Sequence, residues 1–437
     1  MLLKIKNRYA IIRWVIKMKL KNRYNLSQNM YIVQSGFEYL VTILVTGSFL
    51  ATITKHLGIS DSLTGIIASF VSLGSTFQLL SLLLRKRRYK PLVVTLTIVN
   101  QLLFMLLYIV PLISGSKTLK TGLFVFLIFS AYTIFYLIAP KKTNILMSAV
   151  PDEQRGIFTA DKEIVSLLAG MIFSFSMGAV FDHFVALGKL RTAFILAACV
   201  MCVLSTIQIT SLVLVKEDVA TAKSEKKAFS LQTLFRDKNI LCIMVLFSFY
   251  YIITHSASPF FSTYMLGELG LNLKTISFLT ILGSFSRVLI SRFWGHYADR
   301  KSFASMFEKC LILMGIAFLF AAFATPQNGK IFFALYYIFH GAAMAGTNSA
   351  LINLVYDYSK VETRSQSLAI CQAIPGLVGF IATIAFGALV SSVQENGNRF
   401  LGMPIYAQQV ASVITVLIII ATIIFVHTVI KKMKKQG

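Results

Sequence analysis

The sequence predicts an all-α membrane protein of about twelve transmembrane helices in two pseudo-symmetric six-helix bundles, and three observations predict it. The first is composition: 56% of the 437 residues are hydrophobic and only 17 are Asp or Glu. A soluble chain of this length needs far more charge to coat its surface. The second is spacing. Apolar residues come in blocks of about twenty, the length that crosses the ~30 Å hydrocarbon core of a bilayer. The third is an internal repeat at a constant offset of 209 residues.

The blocks place spans near 30–54, 61–84, 91–113, 121–147, 163–185 and 191–215, then 239–262, 275–297, 304–325, 331–356, 366–392 and 405–430. Twelve crossings leave both termini on one face. The net charge of +25 would point to nucleic acid in a soluble protein. Here its location gives a better account, and no nucleic acid is expected. Basic residues crowd the first 29 positions, the run Arg85-Lys86-Arg87-Arg88 with Lys90, and the middle stretch through Lys216, Lys223, Lys226, Lys227, Arg236 and Lys238. They crowd the tail again at Lys431, Lys432, Lys434 and Lys435, while alternate loops carry single residues such as Lys55, Lys274 or Lys330. The positive-inside rule then puts both termini in the cytoplasm of a multi-pass protein of the plasma membrane. Anionic headgroups would add attraction on the same face.

The domain plan that follows has a basic cytoplasmic segment over 1–29, a six-helix bundle over 30–215 and a cytoplasmic linker over 216–238. A second bundle over 239–430 and a basic tail over 431–437 complete it. The first segment mixes Ile5, Ile12, Trp14, Ile16 and Leu20 with Lys and Arg, as an interfacial amphipathic helix does. It lacks the small-residue cleavage site of a signal peptide. Abundant Lys, Ile and Asn fit an AT-rich bacterial genome.

Enzyme chemistry finds little support. Cys199, Cys202, Cys242, Cys310 and Cys371 all fall inside or at the edge of apolar segments, and the Cys199/Cys202 spacing has no partner His. They read as buried thiols. No H-E-x-x-H, paired intramembrane Asp, His-rich loop or nucleotide-binding motif occurs. No catalytic residue, metal or cofactor is therefore expected.

The repeat is carried by residues across several segments in one register. Leu73-Gly74-Ser75 matches Leu282-Gly283-Ser284, Asn144 matches Asn353, Glu153 matches Glu362 and Arg155 matches Arg364. Gly170 and Gly178-Ala179 match Gly379 and Gly387-Ala388. A parallel duplication of six helices is an architecture in which a substrate sits near the bilayer midplane between two rocking halves.

After the eighth span the chain reads Phe293-Trp294-Gly295-His296-Tyr297-Ala298-Asp299-Arg300-Lys301. This resembles the loop signature of the major facilitator superfamily, Gly-x-x-x-Asp-Arg/Lys followed by further basic residues. The copy expected after the second span keeps its charge in Arg85 to Arg88 but lacks the Gly and Asp. Topology, repeat and loops carry the resemblance over residues 30–430. It implies a secondary transporter working by alternating access. It further implies that Asp299, with Arg300 and Gly295 in the same signature, latches a cytoplasmic gate to which Arg155 and Arg364 also belong. The family's antiporter signature needs a Gly-Pro pair in the fifth span, and the run from Gly170 to Gly178 has no Pro.

Ionisable groups are costly inside a membrane and tend to face a cavity or a partner. Glu38 is the carboxylate well inside an expected span, and Gln34, Glu38, Thr42 and Thr46 draw a polar stripe down the first helix. Ser248, Tyr251, His255, Ser258 and Ser262 draw a similar stripe down the seventh, where Pro259 predicts a kink or local unwinding. The tenth helix offers His340, Thr347 and Asn348, and the eighth places Arg287 about midway. Because the first and seventh helices line the cavity in the family resembled, Glu38 and His255 lead the candidates. Glu38, His255 and His340 are candidate proton carriers. Arg287 suits an anionic substrate group or a pairing with Glu38. Tyr132 and Tyr136 suit the cavity wall, and Lys141 or Lys142 its mouth. The expected partners are a small-molecule substrate, a proton or cation as coupling ion, and membrane lipids, with the chain acting as a monomer. The alternatives are a lipid or amphiphile flippase of the same fold, and a non-transporting sensor or scaffold.

Overall fold

The computed structural model describes residues 24–78, 80, 90–150, 155–216, 237–359, 364–400 and 403–433. The basic segment over 1–23, most of the middle linker and the end of the tail lie outside the described residues.

Helix accounts for nearly all of the described chain. The first span is broken into α1 (Leu26–Leu44) and α2 (Gly47–His56), and the second into α3 (Asp61–Ala68) and α4 (Phe70–Phe77). The rest of the first half is α5 (Lys90–Ile109), α6 (Lys117–Met147), α7 (Arg155–Ala186) and α8 (Leu190–Leu214). The seventh span comprises α9 (Lys238–His255), a 3-10 turn at Ser258–Phe260 and α10 (Phe261–Gly267). Then follow α11 (Leu273–Arg300), α12 (Phe303–Ala322), α13 (Gly329–Tyr358), α14 (Arg364–Glu395) and α15 (Ala407–Thr428). A two-residue hairpin, β1 (Arg399–Phe400) with β2 (Met403–Pro404), precedes α15. Among the described residues, helix falls within each of the twelve expected spans. Ten segments, among the described residues, are long and apolar enough to cross a membrane. Of the other two, α13 has the length but is less apolar, and the described part of the second span ends near Phe77.

Local chemistry sets several helix starts. The Asn25 side chain accepts from the Gln28 amide while the Gln28 side chain accepts from the Asn25 amide, a reciprocal cap on α1. Asn272 caps α11 and Ser302 caps α12 in the simpler one-way form. The expected interruption at Pro259 is present as a 3-10 turn, where the ring removes a backbone donor and crowds the preceding turn. An interruption that the sequence reading did not anticipate divides the first span at Val45 and Thr46. Thr42 and Thr46 there turn their hydroxyls back onto the carbonyls of Glu38 and Thr42, and Gly47 takes a positive φ of 55°. Shifted by the repeat, this break falls within two residues of the one after His255.

The repeat is also visible in how the helices touch. Gly74 of α4 lies against Tyr136 of α6, and its counterpart Gly283 of α11 lies against Tyr337 of α13. Gly178 of α7 meets the start of α11, where an added Cβ would sit 3.1 Å from the Leu273 carbonyl oxygen. Its counterpart Gly387 of α14 meets α3, with Ser62 Oγ 3.0 Å away. Small residues let helices approach where lipid supplies no hydrophobic drive to associate. One apolar core draws on residues between Ile240 and Ile430. A second draws on residues between Leu40 and Leu204 and takes in Leu273.

Three polar ties join the earlier helices to the later ones at the same end of the molecule. Asp182 accepts from the Leu273 amide at 3.0 Å and the Lys274 amide at 2.7 Å, the favourable place for a carboxylate at a helix start. Gln394 donates to Asp61 at 2.9 Å, and Lys55 donates to the Leu266 carbonyl at 3.1 Å.

Backbone meets backbone where α11 crosses α13, and a Cβ at Gly341 would fall 2.1 Å from the Gly283 carbonyl oxygen. No rotamer change relieves a clash with backbone. Gly341→Ala is therefore expected to destabilise the protein by about 1–3 kcal/mol, visible as a lowered Tm in detergent.

Candidate functional site

The polar stripe on α1 ends in a compact cluster. Glu38 projects toward α6 and α8 and meets Lys142, whose Nζ lies 2.7 Å from Oε1 and 2.8 Å from Oε2. Gln34, one turn earlier, donates to the same carboxylate at 2.5 Å, and Gln208 of α8 donates at 3.2 Å. The side chains of Lys142 and Glu38 are 7% and 17% exposed, so the pair sits largely out of water. The Lys142 ammonium also lies 4.8 Å from the Phe135 ring centre. Two buried charges are tolerated here because each faces the other and the spare carboxylate lone pairs are filled by amides. Thr42 is occupied locally, donating to the Glu38 carbonyl.

Arg287 does not pair with Glu38. Its guanidinium reaches Glu163 of α7 at 3.3 Å, with side chains 34% and 49% exposed. The expectation of a Glu38–Arg287 pair is thereby corrected. The two residues belong to different helix seams, and a lysine closer in the fold already occupies Glu38. Glu163 stands at the start of the apolar stretch of α7, a helix that begins eight residues before the hydropathy edge.

The two histidines occupy similar settings. His255 stacks on Tyr251 of the turn before, with centres 5.9 Å apart and planes 20° from parallel. His340 stacks on Tyr336 at 5.1 Å and 21°. His255 Nδ1 is buried and, among the described residues, has no hydrogen-bond partner. Gly379 makes room for this ring, since a Cβ there would sit 3.1 Å from His255 Cδ2 and 2.9 Å from Ser72 Oγ. His255 thus lies where α4, α9 and α14 converge.

The helix breaks recruit neighbouring side chains. Tyr108 donates to the Leu44 carbonyl at 2.6 Å, and buried Tyr132 lies 3.5 Å from the Val45 carbonyl. Thr383 of α14 does the same for the His255 carbonyl at 2.7 Å. Tyr136 stands beside Tyr132, with ring centres 6.5 Å apart. Asn348 is exposed on α13. Arg300 is exposed at the end of α11, and a Cβ at Gly295 would meet nothing within 4 Å, so no close approach requires glycine there. The side chains of Asp299, Arg155 and Arg364, named for the gate, lie outside what is described.

Sequence reasoning left Gln208 and Glu163 unnamed and offered Lys142 only for the cavity mouth, without its partner. Lys142 follows Pro140 and Lys141 near a helix end, where a topology charge is the simpler explanation. Gln208 is an amide among Ser and Thr in a segment apolar on average, a weak signal that the hydropathy pass overlooks. Glu163 stood at the edge of its expected span. Removing one partner of a buried pair leaves the other uncompensated. Glu38→Gln is expected to cost about 2–4 kcal/mol, somewhat below the fully buried case because part of the carboxylate is wet. Glu38→Gln with Lys142→Met should recover much of the loss, read as a coupling term in a double-mutant cycle of thermal unfolding.

Comparison with known proteins adds the family. A model for MFS/sugar transport proteins matches residues 84–433. Among solved structures, the nucleoside transporter NupG superimposes with a TM-score of 0.69 at 14% identity, over 94% of this chain and 100% of that one. A D-xylose-proton symporter gives 0.63 at 14% identity, over 90% and 96%. A bacterial homolog to the human lysosomal transporter Spinster, inward-facing and occupied, gives 0.61 at 12% identity, over 93% and 96%. At these identities the likeness is one of fold. No curated protein matches the chain. With its helical membrane architecture, its loop signature and a family match over most of its length, the chain belongs to the MFS/sugar transport proteins of the major facilitator superfamily and is a secondary transporter.

Proposed function

We propose that this protein moves a neutral, hydroxyl-rich solute such as a sugar or nucleoside by alternating access, with a proton as the coupling ion and Glu38 as its carrier. The observation that carries the reading is the Glu38–Lys142 pair, buried in the first half and ringed by Gln34 and Gln208. The halves are the bundles over 30–215 and 239–430, both termini are cytoplasmic, and the chain acts as a monomer in the plasma membrane. On that orientation the ties from Asp182, Asp61 and Lys55 close the outer face, and the site is presented to the cytoplasm.

The coupling follows from electrostatics. With Glu38 ionised, Lys142 is satisfied and has little to offer a solute. A proton taken from water onto the Glu38 carboxylate neutralises it and leaves the Lys142 ammonium short of its counter-ion in a poorly screened site. A solute hydroxyl or carbonyl oxygen can then accept from Lys142. Proton and solute therefore favour each other's binding, and by linkage the preference is reciprocal. The stacked pairs Tyr251–His255 and Tyr336–His340 offer ring faces for the flat side of a sugar or a base. The neutral class is favoured because Arg287, the cation most suited to an anion, already faces Glu163. The family description and the nucleoside and D-xylose transporters of similar fold support the same class.

Uptake of radiolabelled uridine and D-xylose into proteoliposomes, with and without an imposed inside-alkaline gradient, tests this. Wild-type protein should accumulate at least one of them several-fold when the gradient is applied. Glu38→Gln should lose accumulation yet keep exchange of labelled for unlabelled solute, because it mimics the protonated state permanently. Accumulation undiminished in that variant would remove Glu38 as the carrier, and transport of neither probe would remove the substrate class.

A further inference from the structure

Away from the central cluster, a groove of about 620 Å³ runs between α11, α12 and α13. Its walls include Phe293, Ile312 and Ile338, which are 58%, 40% and 38% exposed. In a chain embedded in a bilayer, side chains of this kind face hydrocarbon. The α11 wall from Ser286 to Tyr297 rises about 16 Å at 1.5 Å per residue, close to half of the ~30 Å apolar core. That is the depth of one leaflet.

The polar atoms in the walls are committed within the protein. Ser286 donates to the Ile338 carbonyl at 2.8 Å, the Trp294 indole donates to the Ala342 carbonyl at 2.8 Å, and the Tyr297 hydroxyl meets Ser305 at 3.3 Å. A polar solute would find few partners here, whereas an alkyl chain needs none. The exception is Lys309, which lines the groove and is exposed. Its neighbour Glu308 is held by Lys431 and His427, so it does not neutralise the lysine. Arg300 and Lys301, one turn beyond Tyr297 and also exposed, add positive charge at the same end.

We propose that this groove is a binding site for an anionic phospholipid from the leaflet nearer Arg300, with an acyl chain along α11 and the phosphate at Lys309. Apolar walls of one-leaflet depth fix the tail, and the cationic rim fixes the headgroup. The inference requires membrane embedding but not the transport reading above.

Native mass spectrometry of the full chain in detergent, titrated with palmitoyl-oleoyl phosphatidylglycerol or the matching phosphatidylcholine, tests it. Wild-type protein should retain phosphatidylglycerol in preference, and Lys309→Gln should lower that preference by about five-fold, the effect of one interfacial cation. Lys309→Arg should restore it, which separates charge from packing. Ile312→Trp, filling the groove, should reduce retention of both lipids at unchanged elution volume. Were that variant to misfold, the Gln and Arg variants at position 309 still decide the matter. Equal retention of the two lipids by wild-type protein, or the same preference in Lys309→Gln, would overturn the proposal.

Discussion

Hydrocarbon offers no hydrogen bonds, and most features of this molecule follow from that constraint. Backbone groups satisfy one another within helices, so the described residues form a set of long helices with little else. Side chains that stay polar in the interior must find partners there. Glu38 therefore appears with Lys142, Gln34 and Gln208 around it. Where the first and seventh spans break, the carbonyls they release are met by Tyr108 and Thr383 from neighbouring helices. A broken helix in lipid is admissible only on those terms, and it brings irregular backbone to the protein's interior, where a solute can use it.

The two halves repeat each other in geometry more than in chemistry. Gly178 and Gly387 bring equivalent helices into equivalent contact, because the absence of a side chain at those positions sets how closely the axes approach. The seams then diverge. Along one, Ser72 donates to the Gly376 carbonyl at 2.8 Å and Thr76 to the Ala373 carbonyl at 3.0 Å, all neutral. Along the other, Arg287 faces Glu163, and the positions related to them by the repeat are Gln78 and Gln372. The described ion pair at these related positions thus lies along one seam, while the other holds neutral hydrogen bonds there.

The ion pair in the first half also explains why charge can be kept so deep. An isolated carboxylate at this position would be costly to ionise, and an isolated ammonium equally so. Held within 3 Å of each other and bridged by amides, they become mutually dependent, so any event that neutralises one makes the other reactive toward a new partner. That dependence is what links proton occupancy to solute binding in the mechanism proposed.

Hydropathy and periodicity in the sequence determined the helices, their order, the Pro259 interruption and the glycines at which the halves repeat, since these depend on residue type and spacing along one chain. They also singled out Glu38, because a carboxylate in an apolar segment stands out without any knowledge of its neighbours. Its partner was not legible. Lys142 near a helix end looks the same whether it marks topology or faces inward, and only the side chain's reach from α6 to Glu38 of α1 decides. The same holds for Arg287, whose partner Glu163 is 124 residues away in the chain. Which charges meet is a property of how helices are arranged across the bundle, and linear spacing carries no record of it.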